Sequence, residues 1–146
     1  MAKVYTVELG GKEYRLAYGA RDAIALKKRF GKPFSVLLRQ DVMGMDERLK
    51  PGGKPGEMQW IPAGLTDLEV QAAFLAAGIA GPDGSGVKGV TEEKVIVWLS
   101  EHFAAGKSIA DVITPCWKAV FLSGITGVSI DMDTVGEDEA APEGNG

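Results

Sequence analysis

The chain has 146 residues, 45% of them apolar and 25% charged, which suits one domain with a core of its own. No apolar run nears the roughly 20 residues a membrane-spanning helix needs, and the opening Met1-Ala2-Lys3-Val4-Tyr5 alternates like a strand and lacks the apolar block of a signal peptide. Of the net charge of −4, residues 131–146 hold −6 and leave +2 for residues 1–130, while the single Cys116 excludes an internal disulfide and points to a reducing, cytosolic setting.

Tyr5, Val7 and Leu9 alternate with Val4, Thr6 and Glu8, and Gly10-Gly11 supplies the positive φ that a two-residue hairpin turn requires. Tyr14, Leu16 and Tyr18 alternate in turn. Pairing across the turn sets Tyr5 opposite Leu16, Val7 opposite Tyr14 and Leu9 opposite Lys12, gathering the large apolar groups on one face. The other face pairs Glu8 with Glu13. A hairpin over 3–18 needs support, which the helices that follow would provide.

Ala23, Leu26 and Phe30, with Ile24 beside them, predict a helix over 20–30, stopped by Gly31 and Pro33. A short helix is expected over 35–43, with Ser35 as N-cap. Residues 44–64 are dense in Gly and Pro and lack periodicity, so they read as a long loop of the kind that is functional or mobile. Thr66-Asp67-Leu68-Glu69 has the pattern of a capping box with Thr66 as the cap, ahead of a stripe formed by Leu68, Ala72, Leu75 and Ile79. The Gly-rich stretch 81–89 is a connector. Thr91, with Glu92 and Glu93 at the positive end of the macrodipole, opens a helix carrying Val95, Trp98, Leu99 and Phe103. Gly106 ends it. Ser108 and Asp111 open a last helix with Ile109, Val112, Ile113, Cys116 and Val120 on one stripe. Pro115 within it either kinks that helix or stands first in a new one capped by Thr114. The segment 131–146, acidic and with little to bury, is expected to be a disordered tail. The fold class is therefore α+β, mainly α: one domain over 1–130, with an N-terminal β-hairpin on a bundle of about four to five helices.

Catalytic chemistry finds no support. Gly106-Lys107-Ser108 has the ending of a phosphate-binding loop, but Glu101 stands where that motif needs another Gly and a helix precedes it; a helix stop followed by a cap is the better reading. Cys116 lies on an apolar stripe and reads as a buried, inert thiol. His102, the only histidine, reads as a surface or rim residue, with no nucleophile arranged beside it. One His and one Cys do not make a zinc site without carboxylates, and Asp131-Met132-Asp133 is too short for a calcium loop. No cofactor or metal is expected. Nine basic residues between Arg21 and Lys54 against four acids give a local +5, which reads as a solvated face rather than a nucleic-acid interface. The remaining group is apolar: Met43, Met45, Met58, Trp60 and Ile61 lie in or beside the 44–64 stretch. The commoner fate of such residues is to fold back onto their own core. The alternative is a partner-binding set, since Met adapts to varied partners and Trp anchors interfaces.

The order of these elements carries a resemblance. V-x-L-G-G-K-x-Y-R-L over 7–16 leads into A-x-x-A-I-x-L over 20–26, then a short Leu-rich segment, an alanine-rich helix over 68–79 entered through L-x-x-L, and the T-E-E-K helix start at 91–94. Over roughly residues 3–124 this is similar to the tail assembly chaperones of long-tailed bacteriophages and gene transfer agents. The resemblance implies a non-enzymatic protein of the bacterial host's cytoplasm that binds the tape-measure protein and keeps it soluble while tail-tube subunits assemble. It further implies contact with the tail-tube protein through a longer, frameshifted form, and it admits a homo-oligomer. The 44–64 stretch departs from that family's compact form. The competing reading is a structural tail or connector subunit retained in the virion, its hairpin extending a neighbour's sheet.

Overall fold

Gly10 and Gly11 take φ of 58° and 75° and turn the chain from β1 (Tyr5–Leu9) into β2 (Lys12–Leu16). In this computed structural model, which describes residues 3–64 and 66–134, the two strands pair antiparallel with Tyr5 opposite Leu16, Val7 opposite Tyr14 and Leu9 opposite Lys12. Val7, Leu9 and Leu16 are buried and Tyr14 stacks on Trp98 with ring centroids 5.5 Å apart. The hairpin register expected from the alternation is the one formed.

The fold is α+β with helices predominant. After the hairpin come α1 (Ala20–Phe30), α2 (Phe34–Val36) running on as a π-helix (Leu37–Val42), β3 (Met45–Leu49), β4 (Met58–Pro62), α3 (Leu68–Ala80), a 3₁₀ turn (Pro82–Gly84), α4 (Glu92–Ala104) and α5 (Ala110–Ser123). The centre is α3. Residues 70–76, 78 and 79 are all buried, so this helix is covered on every side: by β2, α4 and α5, by α1, and by the π-helix. Its sequence, LEVQAAFLAAGIA, has apolar or small residues all round rather than on one stripe, the composition of a buried helix. Leu68, expected on that stripe, is 46% exposed because it lies in the first turn, before the helix enters the core.

Gly78 lets the hairpin reach α3. A Cβ there would stand 2.5 Å from Tyr18 Oη and 2.8 Å from Leu16 Cδ2, and the Ala17 N–H donates to the Gly78 carbonyl at 3.0 Å. Tyr18 Oη donates to the Phe74 carbonyl at 2.6 Å, in the same turn region of α3. The buried Gln71 side chain donates from Nε2 to the Val42 carbonyl at 3.1 Å. That carbonyl lies at the end of the π-helix, where no later turn can take it.

Several elements differ from the sequence-based expectation. The helix expected over 35–43 starts at Phe34, directly after Pro33, so Ser35 lies inside it and is not its cap. The π-turn is sealed by the Met43 N–H on the Leu38 carbonyl at 2.9 Å. Asp67, not Thr66, caps α3: its Oδ1 accepts from the N–H groups of Glu69 and Val70 at 2.9 and 3.3 Å. The 44–64 stretch is not a structureless loop but a second hairpin, β3–β4, paired from Met45 opposite Pro62 to Leu49 opposite Met58. Its glycines and prolines concentrate in the tip, where Gly52 and Gly56 take φ of 75° and 81°. One helix runs through Pro115; the Asp111 carbonyl that Pro115 cannot serve belongs to an exposed residue, where water replaces the missing donor. Thr91 caps α4 as expected, accepting from the Lys94 N–H at 3.2 Å.

Residues 131–134, the start of the segment expected to be a tail, belong to the described structure. Asp131 and Asp133 fold back onto the start of β1 and onto α5. Lys3 Nζ lies 3.1 Å from Asp131 and 2.6 Å from Asp133, Lys118 Nζ lies 2.7 Å from Asp133, and Tyr5 Oη donates to Asp133 at 2.9 Å. Met132 packs against the core between them. The rest of the expected tail, 135–146, lies outside the described residues.

Candidate functional site

The five residues singled out from the sequence divide into three positions. Met43 follows the π-helix and packs against the core. It is structural. Met45, Met58 and Trp60 share one face of the β3–β4 ribbon, since residues directly opposite in a pair point the same way: Met45 faces Pro62, Glu47 faces Trp60, and Leu49 faces Met58. Ile61, opposite Asp46, is on the other face. Leu49, absent from the sequence-based set, completes the first face and is its most open member at 67% exposure, ahead of Met58 at 44%. Its only sequence signal was the even spacing of Met45 and Leu49, which Glu47 interrupts.

The ribbon is held at its base and free beyond it. At the base, the Ala63 and Gly64 N–H groups both donate to the Gly44 carbonyl, at 2.7 and 3.0 Å, and Gly44 itself sits at φ 73°. Outside the ribbon, β3 packs on the π-helix. From that helix, Arg39 lays its guanidinium over the Trp60 ring, 5.6 Å from the centroid. The indole, half-buried, is thereby oriented. Towards the tip, the Lys50 N–H closes the ladder on the Glu57 carbonyl at 2.8 Å, and Lys50 and Glu57 pair across it at 3.4 Å. Arg48 is held against Asp46 at 2.7 Å on the far face. Five paired rows give an arm about 17 Å long, with Met45, Trp60, Met58 and Leu49 along one side beside Glu47, and Asp46, Arg48, Gln59 and Ile61 along the other.

The groups weighed for chemistry have structural positions. Cys116 is fully buried, 3.0 Å from Tyr18 Oη, and burial pushes its thiol up to about 12, so it holds no thiolate at neutral pH. His102 takes the rim place of the expected surface-or-rim position: the residue is half-buried with its side chain 7% exposed, and Nε2 donates to the Ser108 carbonyl at 2.7 Å, tying the end of α4 to the start of α5. In Gly106-Lys107-Ser108 the glycine, at φ 80°, follows the helix end and Ser108 Oγ accepts from the Ala110 N–H at 3.0 Å, the stop-and-cap arrangement. In the basic stretch, Arg29 pairs with Glu69 and Glu92, Lys32 with Asp41, Arg48 with Asp46 and Lys50 with Glu57. Two of these pairs use acids already counted in the +5, and Glu57, Glu69 and Glu92 bring three acids from outside the stretch. Among the described residues no helix is long and apolar enough to cross a membrane.

Comparison of the chain with family models, with curated proteins and with solved structures returns no match.

Proposed function

We propose that this chain is a non-enzymatic, protein-binding tail assembly chaperone, acting in the host cytoplasm on a phage tape-measure protein and using the β3–β4 arm as its contact surface. The observation that carries the reading is the arm itself, a ribbon that gathers Met45, Leu49, Met58 and Trp60 on one face, with Leu49 and Met58 exposed and Met45 and Trp60 half-buried. A two-stranded ribbon is marginal without a surface to lie on. Methionines tolerate many shapes of partner, and a Trp oriented by a cation is the type of group that anchors an interface. A long amphipathic helix of the tape-measure protein, laid along the arm, would cover these side chains. Recruitment of the tail-tube protein by a longer, frameshifted form belongs to the same reading.

Co-expression with the tape-measure protein of the same phage tests it. The tape-measure protein should be insoluble alone, and soluble and co-purifying in the presence of this chain. The variant Leu49→Asp with Met58→Asp should stay folded, because exposed substitutions of this kind change stability by only about 0.5 kcal/mol, yet lose co-purification. Trp60→Ala should weaken binding by about 2 kcal/mol or more, as for a central anchor. A tape-measure protein that stays insoluble or unbound beside the native chain removes the reading. A second reading, a structural tail or connector subunit, draws on the fact that both ribbons are two-stranded and keep outer edges not paired to another strand among the described residues. Detection of the chain in purified particles would favour it.

A further inference from the structure

The apolar face of the arm carries one carboxylate. Along β3 that face is formed by Met45, Glu47 and Leu49, and Trp60 stands directly opposite Glu47. On the far face the charges answer one another: Arg48 binds Asp46 at 2.7 Å and Lys50 binds Glu57 at 3.4 Å. Glu47 differs. The residue is exposed, and its backbone N–H donates to Asp46 at 2.9 Å, but among the described residues its carboxylate has no ion pair and no hydrogen bond. Arg39, the cation laid over the Trp60 ring, does not pair with it.

Water solvates a lone carboxylate on an open face. A partner laid over the face takes that water away, and an ionised group so covered is costly unless it is paired. A wholly apolar partner is therefore penalised at the middle of its contact. A partner that brings an ammonium or guanidinium to Glu47 is not, because charge-assisted hydrogen bonds replace the water. The face thus discriminates among apolar segments. Spacing fixes where the base must stand. Same-face residues of a strand are about 7 Å apart, and residues four apart on a helix are separated by about 6 Å. A helix laid along β3 therefore meets Met45, Glu47 and Leu49 with residues spaced about four apart.

We infer that Glu47 sets the specificity of the arm. Its partner is an amphipathic helix whose apolar stripe is interrupted by one Lys or Arg, with apolar residues about four positions before and after that base. This rests on the reading of the arm as the contact surface and names the chemistry of what binds there.

Fluorescence anisotropy of the full chain with labelled peptides of about 20 residues, tiled along the tape-measure protein, tests this. The arm matches about three helical turns, so each peptide is long enough to cover it. Peptides that bind should carry the base within their apolar stripe. Glu47→Gln and Glu47→Met should each weaken binding about tenfold and flatten its dependence on salt, with the thermal melt unchanged because the position is exposed. Glu47→Lys should abolish binding, and exchanging the peptide's base for Glu should restore it. If apolar groups alone met this face, Glu47→Met would bind as tightly as the native chain or more tightly. That result, or bound peptides with no base in the stripe, overturns the inference and leaves the arm as the contact surface. A native chain that binds no peptide and does not solubilise the tape-measure protein on co-expression overturns the reading of the arm, and the inference with it.

Discussion

Gly78 shows how much one missing methyl decides. The hairpin reaches the central helix only because the backbone of α3 presents no side chain where Leu16 and Tyr18 arrive. Gly78→Ala gains about 1 kcal/mol of helix propensity but drives a Cβ into Tyr18, whose hydroxyl is committed to the Phe74 carbonyl. Overpacking of this kind costs about 1–3 kcal/mol. A net loss of about 1 kcal/mol is expected in urea unfolding, with near-UV CD reporting the displaced tyrosine. Gln71 is the polar counterpart. Its amide is the donor that satisfies the Val42 carbonyl at the end of the π-helix, so Gln71→Leu, similar in size, should cost about 1–3 kcal/mol by leaving that carbonyl dry and unpaired. Equal stability of Gln71→Leu and the native chain would show that water reaches the π-helix end.

At the scale of elements, caps and turns decide where the chain changes direction. Asp67 takes two N–H groups of α3, so Asp67→Ala should lower stability by about 1 kcal/mol while Thr66→Ala leaves it nearly unchanged, a contrast read directly from paired chemical unfolding curves. The sequence shows why Thr66 was the natural choice: Thr66 with Glu69 matches the capping-box spacing, and only the path of the chain shows that the helix enters one residue later. The first hairpin was legible to the residue because Gly10-Gly11 and the alternation on both sides agree. So were α1, α4 and the Thr91 cap, where periodicity and stop signals coincide. The second hairpin was hidden because its strands are five residues each and its long tip holds most of the Gly and Pro of 44–64. The candidate site was legible in part for the same reason. Met45, Met58 and Trp60 were found by residue type, but Leu49 needed the register, and Met43 and Ile61 were separated from the others by a π-turn and a strand face that composition does not report. The reach of α3 into the core on all sides left no stripe for periodicity to find beyond Ala72, Leu75 and Ile79.

Over the whole molecule, the two ends of the described chain are joined by charge. Lys3 precedes β1, Lys118 sits on α5, and Asp131 and Asp133 bring the chain back across both. Hydrogen bonds from Lys118, then Lys3 and Tyr5, hold the Asp133 carboxyl well below the usual carboxylate range. The hydrogen bond to Asp133 likewise raises Lys3 above the usual lysine value, partly opposed by desolvation. A carboxyl depressed in the folded state contributes stability above its unfolded value of about 3.9, and that contribution fades as pH falls through the folded value. A lysine raised in the folded state contributes below its unfolded value of about 10.4 and fades as pH climbs through the folded value. The clasp is thus whole between about pH 4 and pH 10 and loosens on either side. Its groups are solvent-accessible, so salt screens them and the benefit to global stability is modest. Local opening is the sharper readout. Asp133→Asn should speed amide hydrogen exchange at Ile130 and Asp133, whose N–H groups bond the Phe121 carbonyl and Asp131, at pH 7 and low salt. The difference between variant and native chain should shrink below about pH 4 and in about 1 M salt. Equal exchange in the two proteins at pH 7 would mean that the packing of Ile130 and Met132, and not the ion pairs, holds this end in place.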